Sequence, residues 1–291
     1  MKILILGGTG LLGHDIVKYL SKKKKYKIIT TIRRSKTPED LKKIRNIKIV
    51  NNINFTNIKK LKHEINQISP NVIINCIGII KQNIKKQIKN KNYVFKINSL
   101  IPVIVSKYCV DKNIRFIHFS TDCVYDGKKN SKTGYKENDK VNAKDLYGIS
   151  KSKGEILSNN SIILRTSFVG IKKNNKNLIS WFLNQKKDII GYKNVYFNGT
   201  TTYEIAKILH KLVLKNKKIS GLFHFSGKKI NKYKLLLLKK NIFKKKIVIR
   251  KNLNFFLDRS LDSTKFQKKF NYKKKPWFKL INELKKFNKT Y

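Results

Sequence analysis

Hydrophobic positions in the first half of the chain form short continuous runs separated by stripes at helical spacing. Runs at 2–6, 27–32, 47–50, 71–75, 114–120 and 161–166 predict strands. Continuous runs, unlike alternating ones, are what strands covered on both faces require. Between them, Leu12, Ile16, Tyr19 and Leu20 line one helical face, and Ile58, Leu61, Ile65 and Ile68 line another. Pro70 stops the second helix and hands over to the fourth strand. The alternation predicts right-handed crossovers and an α/β fold, a Rossmann-type doubly wound parallel sheet.

After about residue 167 the pattern changes. Ile205, Ile208, Leu209, Leu212 and Val213 predict a helix over 202–214, and a strand is expected at 221–226. Trp277, Leu280, Ile281, Leu284 and Phe287 predict a last helix near 277–287. These pieces are too few for a second large domain. The expected organisation is a main domain at 1–168, with 195–226 returning to it, and a smaller C-terminal lobe made of 169–194 and 227–291. Residues 126–142 show no apolar period and read as a long loop, a length that tends to be functional or disordered.

Composition adds an extreme charge, +52 with 68 Lys and Arg against 16 Asp and Glu. Such a balance suggests a nucleic-acid or anionic-surface binder. The lysines, however, are spread over helices and loops alike, Asn and Ile are abundant, and Ala occurs only at 143 and 206. That reads as a codon bias, and no nucleic-acid partner is expected; a positive surface would still attract a pyrophosphate-bearing ligand. No apolar stretch approaches the roughly 20 residues of a membrane span, so none is expected. The odd count of three cysteines, with no C-x-x-C spacing and no leader-like segment before the first strand, points to reduced thiols and a cytoplasmic location. The five histidines are scattered without metal-ligand spacing, so no metal is expected.

Candidate chemistry begins where strand 2–6 runs into Gly7, Gly10 and Gly13, a G-x-x-G-x-x-G directly before an amphipathic helix. The first glycine permits a tight turn, the second lets backbone approach a pyrophosphate, and the third lets the helix lie close to the strand. The helix start at Leu11 and Leu12 offers amides to the phosphates. The second strand ends in Arg33 and Arg34, where an NAD site usually has an acid; arginine suits a 2′-phosphate, so NADP (NADPH) is expected, with NAD the alternative. The fourth strand ends Asn75-Cys76-Ile77-Gly78, at the edge where cofactors lie.

Tyr147 and Lys151 form a Y-x-x-x-K on a predicted helix, one face at i, i+4. A nearby ammonium is expected to lower the phenol pKa, so that the pair shuttles a proton at a carbonyl oxygen. Alone this spacing says little in a chain so rich in Lys and Tyr. Its companion is Ser120-Thr121-Asp122 at the carboxyl end of the fifth strand. Arg165 reads either as a phosphate contact or as the partner of a carboxylate.

Together, Gly7–Gly13, the run Ser120-Thr121-Asp122-Cys123-Val124-Tyr125-Asp126-Gly127, Tyr135-x-Glu137-x-Asp139, Tyr147–Lys151 with Gly154-Glu155, and Ile163-Leu164-Arg165-Thr166-Ser167 resemble extended short-chain dehydrogenases/reductases. Within them the chain is most similar to the dTDP-4-dehydrorhamnose reductase group; Asn198–Glu204 and Arg259–Ser263 match its later segments. The resemblance implies hydride delivery from NADPH to the C4 keto carbon of a nucleotide-linked 4-keto-6-deoxysugar, in surface polysaccharide synthesis. It assigns Tyr147 as proton donor, Lys151 to the tyrosine and the nicotinamide ribose, and Thr121 to the carbonyl. Asp122, Cys123, Arg165 and Ser167 go to the substrate. Asn98 matches a family asparagine that is either structural or a proton relay, and it is counted with the cofactor contacts. Cys123, Phe168 and the Asn75–Gly78 run depart from the rhamnose enzymes toward reductases of nucleotide-linked 2-acetamido-2,6-dideoxysugars. The family often forms homodimers. The alternatives are a sugar-nucleotide epimerase or dehydratase with tightly bound NAD, whose Asp-Glu pair after the threonine is missing here, and a non-catalytic NADP-binding regulatory subunit.

Overall fold

A computed structural model describes all residues except 82–83, 85–89, 130–131, 173–176, 217 and 290–291. Its main element is a seven-stranded sheet made of β1 (Lys2–Leu6), β2 (Lys27–Thr31), β3 (Ile47–Val50), β4 (Val72–Asn75), β5 (Arg115–Thr121), β6 (Ser161–Thr166) and β7 (Gly221–His224). The order is β7-β6-β5-β4-β1-β2-β3, and β1 pairs in parallel with β2 and β4, as β2 does with β3 and β4 with β5. The direction of winding reverses between β1 and β4, so a crevice opens at their carboxyl ends. One register row, Thr31–Leu6–Asn75–His118, brings those ends level.

The helices explain why the strands carry unbroken apolar runs. α1 (Leu11–Leu20) buries Ile16, Val17 and Leu20. α2 (Ile58–Ile68) starts on Asn57, whose side chain accepts from the Lys60 amide at 3.0 Å, and ends at Ser69 with φ 46° before Pro70. Between β4 and β5, Lys91–Asp111 forms one 21-residue helical stretch, which includes a π turn at Lys96–Leu100 and then α3 (Ile101–Asp111). By length and composition this stretch is apolar enough to cross a membrane, against the sequence expectation. Val94, Ile97, Ile101, Val105 and Cys109 instead join Leu4, Leu6, Ile73 and Phe116 in the core, so its apolar face is that of a core helix.

The chain divides into two compact units. The first is Met1–Val124, Val141–Arg165 and Ala206–Phe223; the second is Tyr125–Lys140, Thr166–Ile205 and His224–Tyr291. The helix expected over 202–214 is present as Thr202–Ile208 running into a π turn, Leu209–Val213. In the second unit α5 (Lys232–Phe243) and α6 (Trp277–Lys289) pack Leu235, Trp277, Leu280, Ile281 and Leu284 against Val169, Ile179 and Phe197. In the loop after residue 125 the Tyr125 and Tyr135 rings stack at 4.1 Å, and the Tyr135 hydroxyl donates to Asp126 at 2.9 Å.

Candidate active site

The first unit places the glycine turn, the end of β2, the end of β4 and the Tyr147 helix at the carboxyl side of its sheet. Gly7 has φ +90°, a conformation open to glycine at little cost. A Cβ on Gly13 would lie 2.3 Å from the Gly7 carbonyl oxygen, so α1 sits directly on the turn. A Cβ on Gly10 would meet protein only at 3.3 Å, and Gly10 lines an open cleft. No side chain caps the start of α1, where Gly10 is the N-cap, so the helix presents its positive end there. Leu12 itself is buried, so at this position only backbone can face a ligand.

That cleft, about 210 Å³, is lined by Gly7, Gly10, Arg33, Cys76, Gly78 and Tyr93 among others, including Ile77. Arg33 Nη1 donates to the Tyr93 hydroxyl at 3.2 Å, which holds the guanidinium over the cleft. Arg34 is exposed and is not part of the lining. The turn after β4 is built from side chains: Asn75 Oδ1 accepts from the Ile77 amide at 3.0 Å, and its Nδ2 meets Nδ1 of the fully buried His118 at 3.1 Å. Burial holds His118 well below the usual histidine range, so it is neutral and Nδ1 is the acceptor.

Asn98 sits in the π turn with no exposure. Its Oδ1 accepts from the Ile79 amide at 2.8 Å, and its Nδ2 donates to the Ile79 carbonyl at 3.1 Å and the Ser150 hydroxyl at 3.0 Å. Both amide protons are therefore engaged by protein. These bonds tie the segment after β4 to α4 (Leu146–Ser152).

α4 is capped by Asp145, whose carboxylate accepts from the Gly148 amide at 2.9 Å. Gly148 makes the next step possible. A Cβ there would lie 2.1 Å from the Cys123 carbonyl oxygen, so only glycine lets the helix press against the Asp122–Val124 turn. That approach sets Tyr147 beside the Thr121 side chain. Thr121 Oγ1 accepts from the Cys123 amide at 3.1 Å and donates to Asp122 at 3.1 Å.

Lys151 is buried, and its Nζ donates to the Phe119 carbonyl at 2.7 Å. Burial lowers its pKa to about 8, and the charges of Glu155 and Cys76 oppose that shift. Tyr147 does not show the expected lowering. Burial pushes the phenol well above its ordinary value, and Cys123, Asp122 and Asp145 push it further; only the neighbouring Thr121 hydroxyl acts the other way. The reason is that the ammonium is held by a backbone carbonyl on β5 while desolvation penalises the phenolate.

Arg165 is the partner of a carboxylate. Its Nε and Nη2 donate to Glu155 at 2.9 and 2.7 Å with both side chains buried, and Ser120 donates to the same carboxylate. It is therefore not open to a substrate phosphate. Ser167 lies in the second unit, where its carbonyl accepts from the Thr200 amide at 2.9 Å. Glu155, Gly148 and His118 carry structure that the sequence motifs alone did not reveal as important. Among the described residues there is no cluster of His, Cys, Asp and Glu fit for a metal.

Comparison with known proteins agrees with the resemblance seen in the motifs. A curated dTDP-4-dehydrorhamnose reductase of Aggregatibacter actinomycetemcomitans is 28% identical over 236 residues, 78% of this chain and 73% of that one. The crystal structure of a dTDP-4-dehydrorhamnose reductase from Clostridium acetobutylicum superposes with a TM-score of 0.77 at 20% identity, covering 99% of this chain and 100% of the other. One from Bacillus anthracis, in complex with NADP, gives 0.77 at 17% identity, covering 100% and 98%. The family model described as RmlD substrate binding domain matches residues 1–253, and the chain belongs to that family.

Proposed function

We propose that this protein is an NADPH-dependent reductase of a nucleotide-linked 4-keto-6-deoxysugar, either of the dTDP-4-dehydrorhamnose type or of the UDP-2-acetamido-2,6-dideoxy-4-hexulose type. The single observation that carries the reading is Tyr147 set beside the Thr121 side chain, one helical turn from buried Lys151, on the same unit as an uncapped helix start and a glycine-lined cleft. The cleft suits a dinucleotide. Gly10 lines the cleft without a side chain to narrow it, the α1 amides suit a pyrophosphate, and Arg33 beside Tyr93 suits a 2′-phosphate. When bound, NADPH supplies the hydride.

The chain's own residues do the rest. We assign the Tyr147 hydroxyl to the substrate carbonyl oxygen, and Thr121 Oγ1 reaches the same oxygen by turning its one proton away from Asp122. A phenol with a raised pKa begins protonated, as the donor in a reduction must. As negative charge grows on the oxygen, Tyr147 transfers its proton there and the carbonyl becomes an alcohol. Lys151, with a pKa of about 8, carries a positive charge at neutral pH, and it steadies the resulting phenolate by turning its Nζ from the Phe119 carbonyl toward Tyr147. Asp122 and Cys123 follow Thr121 on the turn and stand ready for the sugar. Three free cysteines suit a reducing compartment, and we place the reaction in the cytoplasm, in the synthesis of surface polysaccharide.

The test is NADPH oxidation against a panel of dTDP- and UDP-linked 4-keto-6-deoxysugars. Tyr147→Phe is expected to lower turnover by about 10²- to 10⁴-fold, with NADPH binding by fluorescence largely kept. Unchanged turnover in that variant removes the assigned role.

A further inference from the structure

The second unit carries an apolar patch that the reductase chemistry does not use. Fourteen large apolar side chains are exposed among the described residues. Six of them, Ile190, Tyr192, Val248, Leu253, Phe255 and Phe256, come from one two-stranded ribbon and the segment after it. The ribbon pairs Ile189–Tyr192 with Ile249–Asn252 in parallel. Its register sorts the side chains. Ile189 opposite Ile249 is buried with Phe182, Leu236 and Ile247, whereas Ile190 opposite Arg250 turns to the other face. Tyr192 and Val248 share that outward phase.

The segment after the ribbon is fastened to it. Asn194 Nδ2 donates to the Leu253 carbonyl at 2.8 Å, the Asn254 amide donates to Asn252 at 3.0 Å, and the Phe255 ring meets Tyr192 edge-on at 5.9 Å. A single exposed apolar residue is ordinary, but a fixed group of this size marks a contact surface.

Charge selects the partner. Arg250 and Lys246 share the outward phase with Ile190, Tyr192 and Val248, and Lys187, Lys193 and Lys251, of the opposite phase, are exposed at the margins of the ribbon. The one acid within 184–200 and 244–257 is Asp188, and it accepts from Arg250 at 3.3 Å. Cations therefore rim apolar side chains with almost no opposing charge. Half of those side chains are aliphatic, and of the three aromatic ones Tyr192 and Phe255 are packed edge to face on each other, which suits hydrocarbon better than stacking on a nucleic-acid base. We propose that this face is a peripheral contact for an anionic lipid bilayer, with Phe255, Phe256 and Ile190 entering the headgroup boundary and the lysines meeting lipid phosphates. The proposal does not depend on the reductase reading.

The experiment is co-sedimentation of the full chain with phosphatidylglycerol/phosphatidylcholine vesicles and with pure phosphatidylcholine vesicles, at low and high salt. Wild type is expected to bind the anionic vesicles and to keep a measurable part of that binding at high salt. Phe255→Ser/Phe256→Ser is expected to bind them about tenfold or more weakly, with an unchanged thermal midpoint. The tryptophan fluorescence of a Phe255→Trp variant is expected to be quenched by brominated lipid beyond the background of the native tryptophans. Equal binding by the double serine variant, or no quenching beyond that background in Phe255→Trp, overturns the proposal, since net charge alone then accounts for vesicle binding. It is also overturned if the double variant loses single-stranded RNA binding or self-association and retains its vesicle binding.

Discussion

At the scale of single residues, Lys151 sets the most informative test of the site. Its ammonium is buried, donates to the Phe119 carbonyl and has a pKa of about 8. If its charge steadies the Tyr147 phenolate, activity is full below that value and falls as pH rises through it. The expected result is a kcat/KM for reduction that is level at neutral pH and declines above about pH 8, with Lys151→Met slow at every pH and lacking that limb. A wild-type profile still rising through pH 9 contradicts the role. The Tyr147–Lys151 spacing was legible in the sequence because i, i+4 fixes a shared helix face. What held the two residues was not. Gly148 matters because of a backbone turn 25 residues earlier in the chain, and Glu155 because two separate strand ends converge on it. Arg165 and Asn98 show the limit from the other side. A charged or amide side chain in a motif segment looks like a ligand contact until its partners, Glu155 for one and Ile79 with Ser150 for the other, are in place.

At the scale of elements, the three glycines between β1 and α1 are not equivalent. Gly13 is required by the fold, since a Cβ would press on the Gly7 carbonyl oxygen at 2.3 Å with no flexible side chain to yield. Gly10 has only a 3.3 Å neighbour and faces the cleft. Gly13→Ala is therefore expected to lower stability by about 1–3 kcal/mol, read as a shifted urea midpoint. Gly10→Ala is expected to lower the midpoint clearly less than Gly13→Ala does and to weaken NADPH binding at least several-fold, read by titration. Equal midpoint losses in both variants break this distinction. The strands of the main sheet were legible because burial on both faces writes itself as unbroken runs. α5 was not, because Lys232–Phe243 carries Leu235, Leu236, Leu237 and Leu238 as a block and buries a lysine, which blurs the helical stripe. The ribbon of Ile189–Tyr192 and Ile249–Asn252 was missed for a related reason. The outward positions of its first strand, Ile190 and Tyr192, are apolar too, and its second strand carries Lys251 on the inward phase, so the alternation that signals a half-buried strand is absent from both.

At the scale of the whole molecule, a chain with 68 basic side chains has folded some of them inside. Lys239 of α5 is fully buried, with its Nζ 5.1 Å from the Phe182 ring centre and 3.4 Å from the Leu178 carbonyl, and burial lowers its pKa to about 7. Lys18 and Lys151 are held at about 8 in the same way. Each folded value lies below the 10.5 of an unfolded lysine, so between the two the unfolded chain binds more protons and stability rises with pH. The opposing groups enter later. Cys109, pushed up to about 12 from 9.0, begins to cost stability only above pH 9. The urea midpoint is thus expected to climb between pH 7 and 9. Surface lysines lose little charge over that range, so most of the climb belongs to the buried ones. Lys239→Met separates the two contributions. Replacing a buried cation with an apolar chain of similar length is expected to stabilise the fold by about 1–4 kcal/mol at pH 7 and to flatten the climb. If Lys239→Met lowers the midpoint at pH 7, the Phe182 and Leu178 contacts hold the charge more favourably than burial opposes it.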